Sequence, residues 1–328
     1  MTKPDTQFNL DIPQSLEGMR VDRAIAELLP DYSRATIQQW LKDGHILLHD
    51  KRIKPSEKLH GGEQLAVSVP RIQPSEWRAQ NIPLEIIYQD SDLLVLNKPA
   101  GLVVHPGAGN PEDTLLNGLL YFDAALRLLP RAGIVHRLDK DTSGLMVVAR
   151  SEMARQHLIE QLKDHSVSRR YLALVTGVPV TGETINQPIG RHRFDRLRMT
   201  VTERGKPSIT HTRIKQKYRC HALIEANLET GRTHQIRVHL SWRGFPLVGD
   251  SLYGARLKLP VGATPALIEL LSGFKRQALH ATGLTLQHPR SGEMLDWQRD
   301  VPADMAQLIN ALAQDLAAYR ETGENEQY

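Results

Sequence analysis

The sequence predicts an α+β protein with a mixed, largely antiparallel sheet, preceded by a small separate domain. The chain has 328 residues, more than one domain usually contains. Most of its apolar segments are short and have the character of strands. These strands do not alternate regularly with helices, which argues against a doubly wound fold.

The small domain is predicted over residues 15–70. Apolar residues recur at helical spacing as far as Pro30, and Ser33 is suited to cap a second helix that ends near Gly44. Alternating apolar residues at 46–48 and 65–69 predict strands after the two helices. The stretch 71–83 contains prolines among polar residues and is the predicted linker.

The large domain is predicted over residues 84–300, followed at 301–328 by a C-terminal helix and an acidic tail. Its predicted strands are 93–96, 102–104, 145–149, 171–175, 222–228 and 284–286. One helix is expected over 152–163 with Ser151 as its cap, a short one after Thr233, and one over 303–319.

Composition limits the classes of function. Hydrophobic residues make up 41% and charged residues 24%, as in soluble globular proteins, and no apolar run would span a bilayer. We therefore expect a cytoplasmic protein that does not contact membranes. The single cysteine, Cys220, excludes a disulfide framework and a cysteine-rich metal site. His234 and His239 fall on different sides of a helix or strand, so no metal site is predicted.

The charge is distributed unevenly along the chain. The net charge is only +4, but residues 191–219 carry ten Lys or Arg against two acids. This segment is a candidate to face phosphate groups, although solvated charged surfaces are more common.

Two polar segments are candidates to carry chemistry. A charged loop that contains Asp139 and Asp141 leads directly into the predicted strand 145–149, where a rigid element would hold its side chains in place. Either aspartate could act chemically or simply form a turn. In the second segment, His234 and Arg237 share one face of the predicted short helix.

At these residues the sequence resembles the RluA-type pseudouridine synthases. The motif HRLD at 136–139, followed by TSG at 142–144, resembles the signature of that family. Further matching blocks follow the family's order: NKPAG at 97–101, HP at 105–106, RY at 170–171, GRTHQIR at 231–237 and ALHA at 278–281. Residues 20–48, RVDRAIAELLPDYSRATIQQWLKDGHILL, resemble an S4 RNA-binding domain.

The resemblance implies a pseudouridine synthase fold and assigns roles to individual residues. Asp139 corresponds to the essential aspartate, which acts on the sugar either as a nucleophile or by removing a proton. Arg237 would pair with Asp139, and Tyr171 would stack on the flipped uracil. Arg137 would fill the space that the extruded nucleotide leaves. No cofactor is expected, and the chain lacks a P-loop or dinucleotide fingerprint.

The resemblance also implies a partner. The expected target is 23S rRNA or a precursor of the large ribosomal subunit, at the helix 69 stem-loop, modified by a monomeric enzyme. Arg20, Arg23, Arg34 and Lys42 are the RNA contacts expected from the S4-like domain, which could otherwise be a small interaction module. The alternatives are a tRNA-directed synthase of this family and a non-catalytic rRNA-binding assembly factor.

Overall fold

The computed structural model describes residues 6–29, 32, 34–69, 77–107, 109–254 and 256–325. The chain forms two compact units, Met1–Pro74 and Ser75–Tyr328. Within the described ranges, no helix has both the length and the apolarity needed to cross a bilayer. Pro30 and Ser33, predicted as a helix end and a cap, lie outside the described residues, as does the first part of the predicted linker.

The smaller unit packs two helices and a four-stranded antiparallel sheet around one core. Its elements are β1 (Thr6–Asp11), α1 (Val21–Leu28), α2 (Arg34–Asp43), β2 (Ile46–Leu48), β3 (Lys51–Arg52) and β4 (Gln64–Val69). The strand order is β1-β4-β2-β3. Apolar side chains such as Ile25, Ile37 and Leu65 are fully buried between helices and sheet. Since β1 belongs to this sheet, the unit begins before residue 15, the predicted start.

The larger unit is built on a nine-stranded mixed sheet, which confirms the predicted fold class. Its strands are β5 (Glu85–Gln89), β6 (Leu93–Lys98), β7 (Ser143–Ala149), β8 (Ser168–Thr176), β9 (Thr184–Asn186), β10 (Ile189–Arg191), β11 (Met199–Val201), β12 (Ile209–Lys217), β13 (His221–Leu228), β14 (Leu279–Gln287) and β15 (Met294–Gln298). The order is β5-β6-β7-β14-β8-β13-β12-β9, with β15 on β14, while β10 and β11 form a separate hairpin. Only the β7–β14 pair in these strands is parallel.

Helices cover both faces of this sheet. They are α3 (Leu115–Phe122), α4 (Glu152–Lys163), α5 (Gln235–Trp242), α6 (Pro265–Gly273) and α7 (Ala303–Asn325). In β6, Leu94 packs into the core that contains α3, and its neighbour Leu93 packs into the core that contains α4. Burial on both faces explains why this strand is continuously apolar in sequence.

The predicted strand at 102–104 is wrong. Only Val103 makes a bridge there, to Thr114. The carbonyls of Val103 and Val104 instead accept hydrogen bonds from Leu115 and Leu116, the first amides of α3. Apolar residues therefore lie here in an extended segment that caps a helix, a use that their composition does not distinguish from a strand.

Of the predicted helix ends, the Ser151 cap is confirmed, whereas the start of α5 and the end of α7 differ from the prediction. Ser151 caps α4 as expected, with its hydroxyl accepting from the amide of Ala154. Thr233 is not the cap of α5, because His234 occupies that position in the left-handed conformation. The helix predicted over 303–319 continues to Asn325.

The second part of the predicted linker is not free. Trp77 packs against the core of the larger unit, and its ring meets that of His105 edge to face. The carbonyl of Arg78 and the amide of Gln80 bond to Asn117. Polar and proline-rich composition indicated a linker here, but these hydrogen bonds make the segment part of the larger unit.

The parallel pairing of β7 with β14 fixes the end of the loop that precedes β7. Ser143 and Gly144 pair with His280 and Ala281. Gly144 has φ +122°, and a Cβ added to it would lie 2.3 Å from the carbonyl oxygen of Ala281. The two backbones therefore approach at a distance that only glycine permits.

This close approach predicts a large loss of stability for Gly144→Ala. The added methyl group would collide with backbone, so we expect the free energy of unfolding to fall by about 4 kcal/mol or more. Gly101→Ala is the matched control, because Gly101 also has positive φ but has open space around it. That control is expected to lose only about 1–2 kcal/mol. Urea unfolding of both variants tests this, and equal losses would contradict it.

Candidate active site

The loop that precedes β7 lines a large cavity in the larger unit. The cavity has a volume of about 970 Å³ and is also lined by segments around His105, Tyr171 and His234. Asp139 is one of the lining residues, and its side chain is 18% exposed. Asp141 is not among them. The structure thus separates two aspartates that were equivalent as turn formers in the sequence.

Asp139 shares its partner, Arg237, with a second aspartate. Arg237 Nη1 donates to Asp139 Oδ2 at 2.9 Å. Its Nε and Nη2 donate to the two carboxylate oxygens of Asp250, at 2.7 and 2.9 Å. The Asp250 side chain is fully buried, and Arg237 is 7% exposed. One guanidinium group therefore joins three segments, the loop of Asp139, α5 and the segment of Asp250.

The protonation states of this group follow from its charges. Burial acts to lower the pKa of Arg237, but Asp250 and Asp139 outweigh it and raise that pKa. Burial acts to raise the pKa of Asp250, whereas Arg237 and two backbone amides hold it below its ordinary value. Both groups are therefore charged, and the guanidinium faces Asp139 as a cation.

Among the described residues, no hydrogen bond reaches the second carboxylate oxygen of Asp139. Its Oδ1 lies 3.9 Å from His234 Nε2, beyond hydrogen-bond distance. His234 has φ +58°, the left-handed region, and this turns its side chain at the start of α5. A carboxylate oxygen and an imidazole nitrogen thus lie side by side in the cavity wall.

Lys98 holds the loop of Asp139 through a hydrogen bond to the carbonyl of Lys140. Its side chain is completely buried, and Nζ donates to the carbonyls of Pro99, Leu102 and Lys140 at 2.7–2.9 Å. Burial lowers the pKa of Lys98 to about 7, against the pull of Asp141 and Asp139. The three carbonyls supply one acceptor for each ammonium proton. They tie the turn after β6 to the residue next to Asp139.

Tyr171 lies on β8 and lines the cavity with 6% of its surface exposed. Burial raises the pKa of its hydroxyl to about 12, so the phenol is neutral. Arg169, two residues away on the same face of the strand, also lines the cavity and is 8% exposed. Its Nη2 donates to the carbonyl of Glu229. The cavity thus has an aromatic ring and a buried cation side by side.

Two residues of the HRLD motif have different surroundings: His136 anchors the loop, and Arg137 is exposed in the cavity wall. His136 Nε2 accepts from the amide of Val147 at 3.1 Å, and burial lowers the pKa of His136 to about 3. It is therefore a neutral anchor between the loop and β7. Arg137 lines the cavity with an exposed side chain. Within the described ranges, no carboxylate forms an ion pair with Arg137.

The four cations predicted in the smaller unit differ in their ion-pair partners. Arg20 and Arg34 both bond to the buried carboxylate of Asp22, and each keeps about half of its side chain exposed. Burial would raise the pKa of Asp22, but these arginines and Gln38 hold it well below the ordinary value. Arg23 pairs instead with Glu27, and Lys42 lies two turns beyond Arg34 on α2.

The basic segment 191–219 contains the end of β10, the turn of the β10–β11 hairpin, β11 and β12. Its exposed cations include Arg191, Arg193, Arg196, Arg204 and Arg213. At the tip of the hairpin, Phe194 and Leu197 are also largely exposed. The hairpin joins the cavity wall through Tyr253, whose hydroxyl accepts from the amide of Met199 at 2.7 Å.

One group in the described residues has the spacing of metal ligands. Donor atoms of Asp90, Asp92 and His288 lie within 4.8 Å of one another. Arg290 donates to both oxygens of Asp92, and His288 Nε2 donates to Asp90 Oδ2 at 3.0 Å. These oxygens already have partners, and none of the three residues lines the cavity. The group is an ion-paired cluster that supports β6.

Sequence reasoning missed Arg169, which lines the cavity, and Asp250 and Tyr253, which contact lining residues; it grouped His234 with Arg237 but gave His234 no role. The signal for Asp250 was available, since it is an acid at the end of the apolar run FPLVG at 245–249. A charge in that position requires a buried partner. The sequence did not indicate that this partner would be Arg237.

Comparisons with known proteins agree with this architecture. A family model described as RNA pseudouridylate synthase matches residues 92–242, and one described as S4 domain matches residues 19–65. Proteins named ribosomal large subunit pseudouridine synthase D are similar over almost the whole chain. The protein from Yersinia pestis is 48% identical, covering 96% of this chain and 97% of its own, and that from Xanthomonas campestris pv. campestris is 50% identical, covering 94% of each.

Solved structures show the same relationship at lower identity. Human RNA pseudouridylate synthase domain containing 4 is 27% identical with a TM-score of 0.54, covering 70% of this chain and 93% of its own. Human RNA pseudouridylate synthase domain containing 1 is also 27% identical with a TM-score of 0.53, covering 68% and 86%. With a smaller unit that matches the S4 model and a larger unit of this fold, the chain belongs to the RNA pseudouridylate synthase family.

Proposed function

We propose that this RNA pseudouridine synthase isomerises uridines of 23S rRNA, free or in a precursor of the large subunit, at the helix 69 stem-loop. The named relatives act on the large ribosomal subunit and are about half identical to this chain. The exposed cations of the basic segment suit a phosphate backbone. We further propose that the enzyme works in the cytoplasm, as a monomer and without a metal or cofactor.

The observation that carries the catalytic proposal is the carboxylate of Asp139 in the cavity wall, with Oδ2 bonded to Arg237 and Oδ1 without a hydrogen bond in the described residues. The reaction breaks the bond from N1 to C1′ of the ribose and forms a bond from C5 to C1′, so the detached uracil must turn before it rejoins. Asp139 either attacks the sugar or removes a proton from it. In both routes the carboxylate is the reacting group, and the hydrogen bond of 2.9 Å from Arg237 holds its other oxygen in place.

The other residues would bind the flipped nucleotide. Tyr171 offers a neutral aromatic ring on which a uracil can stack through each stage of its rotation. Arg137 is exposed beside Asp139, as a side chain must be to enter the space left by the flipped nucleotide. The cavity volume of about 970 Å³ leaves room for a whole nucleotide.

The target is tested by mapping pseudouridines in total RNA from cells with and without this gene. Loss of signal in helix 69 of 23S rRNA supports the proposal. Loss confined to tRNA would identify the tRNA-directed alternative, and an unchanged map would favour a non-catalytic assembly factor.

Asp139→Asn is expected to abolish product formation while leaving the fold intact. The amide nearly preserves the shape of the side chain but cannot act as a nucleophile or base, so turnover should fall roughly 10⁴-fold or more. Asp141→Asn is the matched control and should stay close to the wild-type rate, because Asp141 does not line the cavity. Pseudouridine formation on a 23S rRNA transcript measures both. Substantial turnover by Asp139→Asn would rule out the assignment.

Asp250→Asn is expected to destabilise the larger unit and slow the reaction. It removes the charge that fixes Arg237, and breaking such a buried pair should cost roughly 3 kcal/mol, the low end for buried pairs because Arg237 retains Asp139. Asp296→Asn is the control, since its pair with Arg170 is partly exposed and should cost less than about 1 kcal/mol. Urea unfolding compares the two. Similar losses would mean that the buried pair contributes no more than a surface one.

RNA binding by the smaller unit is tested with Arg23→Gln/Lys42→Gln. These changes leave Arg20 and Arg34 to neutralise Asp22, so the fold keeps its buried pair. If both cations contact phosphates, affinity for the transcript falls and the salt slope of log K flattens by about 0.9 for each lost contact. Arg320→Gln, on the exposed acidic end of α7, is the control. An unchanged affinity and slope would mean that these two cations do not contact RNA.

A further inference from the structure

Tyr253 connects the basic hairpin to the cavity. Its ring is 5% exposed, and the guanidinium carbons of Arg198 and Arg237 lie 5.4 and 5.0 Å from the ring centroid. Its hydroxyl accepts from the amide of Met199 on β11 at 2.7 Å and lies 2.8 Å from Nδ1 of His234. This side chain therefore contacts both the hairpin and the two residues that flank Asp139.

The hydrogen bonds of Tyr253 determine which nitrogen of His234 carries the proton. The hydroxyl oxygen already accepts from Met199, and its own proton requires an acceptor. Within the described residues, that acceptor is His234 Nδ1. An imidazole that accepts at Nδ1 carries its proton on Nε2. An N–H donor is thus fixed at the atom that lies 3.9 Å from Asp139 Oδ1.

The charges around His234 favour the neutral ring. Burial is the largest influence and lowers the pKa of His234. The carboxylates of Asp139 and Asp250 act to raise it, while Arg237 and Arg137 act to lower it, and the net result is below the ordinary value. Protonation at Nδ1 would in addition remove the acceptor of the Tyr253 hydroxyl proton.

We propose that Tyr253 is a positioning residue that holds His234 as the Nε2–H tautomer, and that this N–H donates to an oxygen of the reacting nucleotide beside Asp139. An oxygen about 2.8 Å from both Nε2 and Oδ1 fits a gap of 3.9 Å. The donor would hold the sugar or base in register with the carboxylate before the reaction begins. This inference rests on the proposed catalytic role of Asp139 and adds His234 to the residues that bind substrate.

Tyr253→Phe is the direct test, because it removes the hydroxyl and keeps the ring between hairpin and cavity. The single-turnover rate on a 23S rRNA transcript should fall about tenfold, the equivalent of one lost hydrogen bond, with RNA affinity changed less than about twofold. The acidic limb of the pH–rate profile should move to higher pH. Without the Tyr253 donor at Nδ1, His234 protonates more easily as the pH falls. The imidazolium then lies beside Asp139 Oδ1 and pairs with the carboxylate that must react, so the rate is lost at a higher pH.

Two matched variants separate positioning from simple loss of structure. His234→Asn tolerates the left-handed backbone and has no group at the Nε2 position. Adding Tyr253→Phe to it should therefore cost nothing further. Tyr88→Phe removes a hydroxyl that donates to Asp90 outside the cavity, and it should leave the rate and the acidic limb unchanged. A fully additive loss in the double variant, or a wild-type rate and profile for Tyr253→Phe, would overturn the proposal.

A second measurement does not depend on RNA. Imidazole ¹⁵N NMR shifts of the RNA-free full chain should show the Nε2–H tautomer at His234 in wild type and a mixture of tautomers in Tyr253→Phe. An Nδ1–H tautomer in wild type would overturn the inference whatever the RNA target is. An inactive wild-type enzyme on the transcript, with the expected NMR result, would instead remove the proposed target and leave the positioning of His234 intact.

Discussion

The arrangement of the cavity depends on one buried cation. Arg237 satisfies two carboxylates, and these come from segments far apart in the chain, the loop before β7 and the segment that follows α5. A guanidinium group with five donors can bridge them in fixed geometry, which a lysine ammonium cannot do. In the described residues, the carboxylate of Asp250 accepts hydrogen bonds only from Arg237 and from the backbone amides of its own turn. The buried charge of Asp250 requires Arg237 as its partner, and Arg237 in turn holds Asp139 in position.

Around this cation, backbone contacts limit how far the loop of Asp139 can move. Gly144 brings β7 against β14 at a distance that excludes a side chain, and Lys98 holds the carbonyl of Lys140. His136 is bonded to the amide of Val147 within β7. The loop is therefore attached to a strand, to a neighbouring turn and to α5. These contacts order the loop before substrate binds, so less of the binding free energy is needed to order it.

The sequence predicted the fold class, α4 with its Ser151 cap, and the cores of most central strands, since these depend on local pattern. Ordered motifs predicted which aspartate lines the cavity, a choice that turn propensity left open. The sequence did not reveal β12, because its charged residues hide the alternation of a strand. Nor did the sequence reveal that Val103 caps α3. Nor did it place His234 at the cap of α5, because a positive φ at histidine depends on tertiary contacts such as the bond to Tyr253.

Every described residue that lines the cavity belongs to Ser75–Tyr328. The same unit contains Lys98, Tyr253 and the two aspartates that bond to Arg237. The smaller unit holds its own buried pair around Asp22 and has a separate core. The hydrogen bonds that hold Asp139 and Arg237 all join residues of the larger unit. Substitutions on the surface of the smaller unit can therefore accumulate over evolution while the groups around Asp139 are inherited unchanged.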